Sequence, residues 1–452
     1  MKVAAVLLAA GKGTRMKSDL PKVLHPIAGK PMLWHVLQAM KAACTERPVV
    51  VVGHGAQQVE AFVGEAGHCV LQEPQLGTGH AAMQAEAALK DKVDYVIVTY
   101  ADMPLLRGET FKQLVEMQQA NSGPISMLTV IADDPRGFGR ILRKPDGTVG
   151  AIVEEYVATP EQKAIKELNV GAYCFSADWL WSALKRIPKN PKKGEYYLTD
   201  TIELAVADGL PVQALVHDNL AETIGINTRV HLAEAEAAMR QRINRELMLA
   251  GVSMIDPAST YIQAGVQIGK DTVIQPNTYI QGQVSIGEGC QIGPNAHIRD
   301  SKIGNRCIVF MSVMEGALLE DDVDIGPFAR LRKGAHLDKG VHMGNFGEVK
   351  DSHLGPGVKM GHFSYIGNAE IGANTNIGAG TITCNYDGTH KHHTEIGEDV
   401  FIGSDTMLVA PLKLGDRSRT GAGAVVTKDV PADTLAVGMP ARKIKKLGNG
   451  GT

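Results

Sequence analysis

The sequence predicts two architectures in one chain: an α/β domain with a Rossmann-like, mostly parallel mixed sheet, then a long helix, then a left-handed parallel β-helix of hexapeptide repeats. Three observations carry this. Strand-like runs alternate with amphipathic helical stretches over residues 1–227, residues 228–250 lose both proline and strand patterning, and from 251 to 452 an aliphatic side chain returns every six residues. Length agrees, since 452 residues exceed what one hydrophobic core usually serves.

Val3–Leu8, Pro48–Val52, Tyr95–Thr99 and Ile125–Val130 are apolar runs of strand length separated by helical stretches, the pattern of strands buried on both faces of a sheet. From Thr228 to Leu249 the composition turns to alanine, glutamate and arginine with helical spacing, which makes one connecting helix. Beyond Asp256, isoleucine occupies 262, 268, 274, 280, 286, 292 and 298 without a miss. Steps of six continue through Ile325, Leu331, Leu337, Met343 and Val349, and again through Ile396, Ile402, Leu408 and Leu414. A helix is excluded, because 3.6 does not divide six and each interspersed glycine would cost about 1 kcal/mol. Short strands wound round a prism fit, each coil resting on the last. Five-residue steps at Ile298–Ile303, Val349–Leu354 and Ile366–Ile371 mark slips of register. The stretch from Cys384 to Glu395 interrupts the pattern as a polar insertion, a natural place for a site on an otherwise regular solenoid. Such prisms leave open edges, and side-by-side association as a homotrimer is the expected cover.

With 46 basic and 49 acidic residues spread through the chain, no basic tract marks a nucleic-acid partner or a membrane surface. No apolar run reaches the length of a membrane span. The start, MKVAAVLLAAGKGTRM, carries glycine and charge where a secretory leader needs its cleavage region, so the cytoplasm is the expected location. The 6 cysteines form no C-x-x-C pair and read as reduced packing residues.

The segment Leu7-Leu-Ala-Ala-Gly-Lys-Gly-Thr-Arg-Met16 follows the first strand, and Pro21-Lys22 comes soon after. Gly11 and Gly13 let backbone N–H groups approach phosphate oxygens. Arg15 and Lys22 add positive charge where a pyrophosphate leaving group develops negative charge. This is not the dinucleotide fingerprint G-x-G-x-x-G, because Met16 holds the third glycine position. Asp102, in Val98-Thr-Tyr-Ala-Asp-Met-Pro104, falls at the carboxyl end of a strand, where α/β sheets place ligands.

On these residues the first half resembles the nucleoside-diphosphate-sugar pyrophosphorylases, whose signature is L-A-A-G-x-G-T-R-M followed by P-K. The resemblance implies a nucleotidyltransferase with a UDP-sugar site made by Leu8, Ala9, Ala10, Gly11, Lys22, Gln72, Gly77, Thr78, Tyr100, Ala101, Asp102, Gly139, Glu154, Asn169 and Asn227. Within that set, Gln72 and the tract Gln75–His80 recognise uracil, and Gly139, Glu154 and Asn169 contact the sugar. Asp102 and Asn227 are the implied Mg²⁺ ligands, hard oxygen donors that leave room for substrate phosphates. The family usually has Tyr-Gly-Asp where this chain has Tyr100-Ala101-Asp102. The implied chemistry is in-line attack of a sugar-1-phosphate oxygen on the α-phosphorus of UTP. Arg15, Lys22 and the metal neutralise charge, and no general base is required.

Joined to a hexapeptide β-helix, that half looks like the bifunctional uridyltransferase and acetyltransferase enzymes of UDP-N-acetylglucosamine synthesis, which supply peptidoglycan and lipopolysaccharide precursor. The motifs are Gly326-Pro-Phe-Ala-Arg-Leu-Arg332, Gly344-Asn-Phe-Gly-Glu-Val-Lys350, Gly361-His-Phe-Ser-Tyr-Ile-Gly367 and the run Asn376–Asp387. The resemblance implies acetyl transfer from acetyl-CoA to glucosamine-1-phosphate, with His362 as base, since an imidazole with a pKa of about 6.5 can take a proton from an amine at neutral pH. Arg332 and Lys350 suit the sugar phosphate, Tyr365 and Asn376 the sugar, and Glu348 orients a neighbour. Ala379, Asn385, Tyr386, Ser404 and Ala422 are the implied acetyl-CoA contacts. Where many members carry an arginine for the coenzyme's phosphate this chain has Met439, with Arg442 or Lys443 as the substitute. His390, His392 and His393 lack a complementary ligand set and read as part of a solvated loop. Two other readings stay open: a uridyltransferase whose β-helix only assembles or regulates, and a solenoid scaffold that binds partners.

Overall fold

In the computed structural model, which describes residues 1–446, the valine-rich runs of the first half become the centre of a nine-stranded sheet. Its main path runs Val212–His217, Ile125–Ile131, Glu167–Ser176, Tyr95–Tyr100, Val3–Leu8, Val49–Val52 and His68–Leu71. Neighbours are parallel except for Glu167–Ser176, which runs against both of its partners and makes the sheet mixed. The central strand shows why it is apolar throughout: Val3, Ala5 and Leu7 enter one core while Ala4 and Val6 enter the other. The Met32–Ala43 and Gly108–Ala120 helices cover the first face, Ala177–Leu184 and Asp200–Ala207 the second. Leu8 pairs with Tyr100, so the loops that leave these two parallel strands start side by side.

By its internal contacts the chain divides into two units, Met1–Met239 and Arg240 onward. The connecting helix spans Arg229–Leu249, about 31 Å at 1.5 Å per residue, and contributes residues to each. In the second unit Ile243 and Leu247 pack against the prism core. Buried Asn244 donates from Nδ2 to the carbonyls of Pro257 and Thr260 at 2.9 and 3.0 Å, pairing backbone groups of the first coil. The expected end of the second domain, residue 452, lies outside the described residues.

The six-residue period resolves into three sheets of twelve, ten and nine strands, parallel throughout except for the last strand of the first. The first face stacks Ile274, Ile292, Val309, Ile325, Met343, Met360, Ile377 and Ile402. The second stacks Ile262, Ile280, Ile298, Met314, Leu331, Val349 and Ile366, the third Ile268, Ile286, Ile303, Leu319, Leu337, Leu354, Ile371, Ile396 and Leu414. Almost all of them share one continuous core. The five-residue steps are absorbed between strands, with the inward residues on both sides still in register. Two more, Val309–Met314 and Met314–Leu319, escape an isoleucine count because valine and methionine take over. Many corners use Asn or Asp in the left-handed region, as at Asn277, Asn295, Asn374 and Asp405 with φ from 54° to 57°.

Ile371 pairs back to Leu354 and forward to Ile396, and the extra length between Thr383 and Thr394 forms a small hairpin. Tyr386 bridges Lys391 there, and the His392 N–H donates to the Asn385 carbonyl at 2.8 Å. His392 Nε2 meets Asp387 Oδ2 at 2.7 Å. All 6 cysteines are free thiols. Among the described residues no helix is long and apolar enough to cross a membrane.

Candidate functional site

Where the paired strands Val3–Leu8 and Tyr95–Tyr100 end, the first unit opens a cavity of about 520 Å³. It brings together Leu8, Ala9, Ala10, Gly11, Lys22, Gln72, Gly77, Thr78, Tyr100 and Asp102. Gly11 has nothing within 4 Å of where a Cβ would stand, so its backbone is open to a ligand. Gly13 takes φ +60°, and a Cβ there would lie 2.8 Å from Lys22 Cβ, so only glycine lets the loop fold against that lysine.

The Ile226 N–H donates to the Asp102 carbonyl at 3.0 Å, which sets Asn227 beside Asp102. The Lys22 ammonium bonds the Asp102 carboxylate and, at 3.1 Å, Asn227 Oδ1. Arg15 Nη2 reaches the same Asn227 oxygen at 2.9 Å. Two hard oxygens converging on one ammonium nitrogen can also share one coordination sphere, so the donor set fits Mg²⁺ with most positions left for phosphate and water.

At the other end Gln72, 4 % exposed, donates from Nε2 to the Gly77 carbonyl at 2.9 Å. Gly77 has φ +95° and faces the Tyr196 carbonyl at 2.5 Å from a would-be Cβ, so this turn too requires glycine. Thr78 Oγ1 accepts the Leu198 N–H at 3.0 Å and anchors the segment that carries Glu195 and Tyr197. Those two and Lys12 also line the cavity, and sequence reasoning singled out none of them. Lys12 stands in plain view between two glycines, whereas Glu195 and Tyr197 lie outside any regular element and carry no periodic signal.

Ala101, where the related pyrophosphorylases usually have glycine, is fully buried in a core, and its N–H donates to the Leu8 carbonyl at 3.1 Å. The additional methyl is therefore taken up by packing. Gly139, Glu154, Asn169 and Asn227 are not among the residues that line the cavity. Asn169, 7 % exposed, accepts the Gly171 N–H at 3.1 Å and pairs its amide nitrogen with the Tyr173 hydroxyl at 2.7 Å. That clamp fixes an irregularity in the strand at Gly171, φ +83°, where a side chain would collide with the Tyr100 ring. Gly139 accepts the Asn169 N–H at 2.9 Å, and Glu154 accepts from Thr199 Oγ1 at 3.2 Å. Burial raises the Glu154 pKa. Burial, then the Glu154 and Asp102 charges, push the Tyr100 hydroxyl well above its usual value.

In the second unit, Met343, Met360, Ile377 and Ile402 stack in register, so residues two positions later share the corner between the first and second faces. That column is Asn345, His362, Ala379 and Ser404, continued by Ala422. A glycine precedes each member, and the coils meet there backbone to backbone: a Cβ on Gly344 would fall on the Gly361 carbonyl, and one on Gly403 would lie 2.7 Å from the Ala422 nitrogen. His362 is exposed, with Nδ1 3.4 Å from Asn345 Oδ1. A proton on Nδ1 directed at that oxygen leaves the Nε2 lone pair free for base chemistry.

On the second face Glu348 pairs with Tyr365, and Glu348 Oε1 accepts from Arg332 Nη1 at 2.9 Å. Lys350 Nζ is 3.3 Å from Asp351 Oδ2. Lys391, from the inserted hairpin, has its pKa lowered first by the neighbouring Lys350 ammonium, with Arg332 adding to the effect. Arg332, Lys350 and Lys391 thus form a cation group suited to a dianion, and the hairpin position hid the third member from sequence reasoning. Asn376 lies on the first face, between Lys359 and Phe401, so one chain does not bring it beside Tyr365. Asn385 spends its amide nitrogen on Asn368 Oδ1 at 2.7 Å. Tyr386 is exposed and its hydroxyl donates to the Gly388 carbonyl at 2.6 Å. Arg442 is exposed on a final strand that turns antiparallel to Thr434–Val437.

Residues 5–180 match the family described as a MobA-like NTP transferase domain, and residues 393–428 match the bacterial transferase hexapeptide family, six repeats. The chain is 48 % identical over 444 residues to the "Bifunctional protein GlmU" of Syntrophomonas wolfei subsp. wolfei, covering 98 % of this chain and 99 % of that one. It is 47 % identical to the protein of the same name from Heliobacterium modesticaldum, over 98 % of this chain and 97 % of that one. For Streptococcus equi subsp. zooepidemicus the figures are 44 %, 99 % and 97 %.

Proposed function

This chain belongs to the GlmU family of bifunctional proteins and makes UDP-N-acetylglucosamine in two transfers, and we propose that the Lys22–Asp102 cavity carries the uridylyl step and the His362 corner the acetyl step. The observation that carries this assignment is the pairing of a cavity where backbone and cations converge with a separate glycine-lined corner from which one imidazole projects.

For acetyl transfer, glucosamine-1-phosphate rests its phosphate on Arg332, Lys350 and Lys391, with Tyr365 against the sugar. His362 Nε2 takes a proton from the amine as the nitrogen attacks the thioester carbonyl of acetyl-CoA. A C–N bond forms, the C–S bond breaks, and the proton passes on to the leaving thiolate. Ala379, Ser404 and Ala422 continue the corner beyond His362 and leave an uncluttered track for the pantetheine arm. Side-by-side association as a homotrimer would bring the Asn376 face of one copy towards the second face of another.

For uridylyl transfer, Gln72, Gly77 and Thr78 hold the base of UTP, and the Leu8–Gly11 backbone receives its phosphates. Lys22 and Arg15 stabilise the charge that builds on pyrophosphate as a phosphate oxygen of N-acetylglucosamine-1-phosphate attacks the α-phosphorus in line. Asp102 and Asn227 would hold Mg²⁺, which would supply further neutralisation of phosphate charge. Asn169 and Gly171 act here through the position they impose on Tyr100.

The test follows free thiol from acetyl-CoA and glucosamine-1-phosphate, with UTP turnover in parallel. His362→Ala should lose acetyl transfer by about 100-fold or more while uridylyl transfer stays unchanged. Thiol release at the unmodified rate in that variant would remove His362 from the chemistry, and no thiol with the unmodified protein would remove the acetyl step from this unit.

A further inference from the structure

Away from both sites, the outer side of the third face carries a cluster built from metal-binding groups. Register sets Leu318, His336, His353 and Glu370 side by side on consecutive coils. Alternate residues of a strand point the same way, so Glu320 and Asp338 join them from two positions further on. The His336 and His353 rings stack with centroids 4.7 Å apart and 20° between planes. His336 Nε2 lies 3.1 Å from Glu320 Oε1 and 3.2 Å from Asp338 Oδ1. His353 Nε2 lies 2.9 Å from Asp338 Oδ2. One donor atom from each of His336, Asp338 and His353 falls within 4.8 Å of the others.

Two features set this apart from a solvated patch of charge. His353 Nδ1 meets Glu370 Oε1 at 2.5 Å, a contact that suits an Nδ1–H donor and, in the neutral ring, leaves a lone pair on Nε2. That Nε2 atom is buried and makes no hydrogen bond among the described residues, although a carboxylate oxygen stands 2.9 Å away. A lone pair facing an anion is repulsive until a cation lies between them. A proton on His353 would answer this for one ring, whereas one dication shared by both rings and Asp338 answers it for the pair.

We propose that His336, His353 and Asp338 bind one divalent transition-metal ion, of which zinc is the type, with Glu370 orienting His353 and Glu320 or water completing the shell. Two imidazoles with carboxylate select zinc, cobalt or nickel over magnesium. Zinc held at roughly 2.1 Å from each donor in a tetrahedron sets the donors about 3.4 Å apart, so the observed spacing needs only side-chain adjustment. The ladder already fixes the backbone. The ion ties two successive coils together and takes no part in either transfer.

Full-length protein freed of metal by dialysis against a chelator is titrated with zinc under excess Mg²⁺, and bound zinc is read by equilibrium dialysis. One tight equivalent per chain is expected, present also in Asp102→Asn, which disables the oxygen-donor site. The double variant His336→Ala, His353→Ala should bind zinc at least tenfold more weakly and lose the zinc-dependent rise in Tm, while both transfers continue and so report an intact fold. Cobalt gives a second readout: intense visible bands of a four-coordinate, nitrogen-bearing site in the unmodified protein and none in the double variant. Absence of a tight equivalent in the unmodified protein overturns the proposal. So does a double variant that binds as tightly, or loss of the tight equivalent when His390, His392 and His393 are replaced instead.

Discussion

Asp200 opens the Asp200–Ala207 helix with its carboxyl half-buried, and burial followed by the Glu203 and Glu154 carboxylates pushes its pKa up to about 6. A folded-state value above the unfolded one, about 3.9, means that folding favours the protonated form. The resulting penalty is absent below about pH 4, grows between there and pH 6, and is complete above pH 6. Asp200→Asn should therefore raise Tm at pH 8 and leave it nearly unchanged at pH 4, as read by scanning calorimetry. A lower Tm at pH 8 would mean that the charge gains more from the helix N-terminus than it loses to its surroundings. At this scale sequence is an uneven guide. Lys22, Asp102 and Gly11 announce themselves through motif and end up in the cavity. Asn169 carries the same kind of resemblance, yet its amide is occupied with Tyr173 and Gly171, because a hydrogen-bonding partner four residues away leaves no trace in composition.

Strands, coils and the place of the polar insertion were largely legible, though not its hairpin form, since a side chain directed inward every six residues is a consequence of the prism's geometry. What the period does not reveal is which corner carries chemistry. The glycine column at Gly344, Gly361, Gly378, Gly403 and Gly421 becomes significant only once the coils are stacked and each lacks room for a Cβ or stands beside one that does. Gly344→Ala would press a methyl onto the carbonyl of Gly361, the residue before His362. Backbone cannot yield as a flexible side chain would, so a loss of more than about 2 kcal/mol is expected in the second unit. Acetyl transfer should fall at least tenfold with uridylyl transfer retained. Equal rates and an unchanged melting profile would show that the corner can relax. Lys391 illustrates the limit of pattern reading: a hairpin fold, not spacing, returns it to Lys350 and Arg332.

For the molecule as a whole, each unit has its own hydrophobic core and its own transferase family match. The two transfers make different demands. In the proposed assignment the uridylyl step would engage the hard oxygens of Asp102 and Asn227 through a metal ion, whereas the acetyl step would rely on the His362 imidazole. Chelation with EDTA should abolish UTP turnover, restore it on addition of Mg²⁺, and leave initial rates of thiol release unaltered. Loss of both activities on chelation would tie the acetyl chemistry to an ion as well.

The stacked coils also turn length into a countable variable. Gln291 and Ile308 occupy the same place on successive circuits, so excising everything from one up to the other would shorten the prism by a single rung of roughly 4.8 Å and leave each later side chain on its original wall. Loss of one residue inside a strand would instead swap inside for outside until the next corner. Such a body behaves as a ruler: its reach can be adjusted in whole rungs while the chemistry mounted further along keeps its orientation.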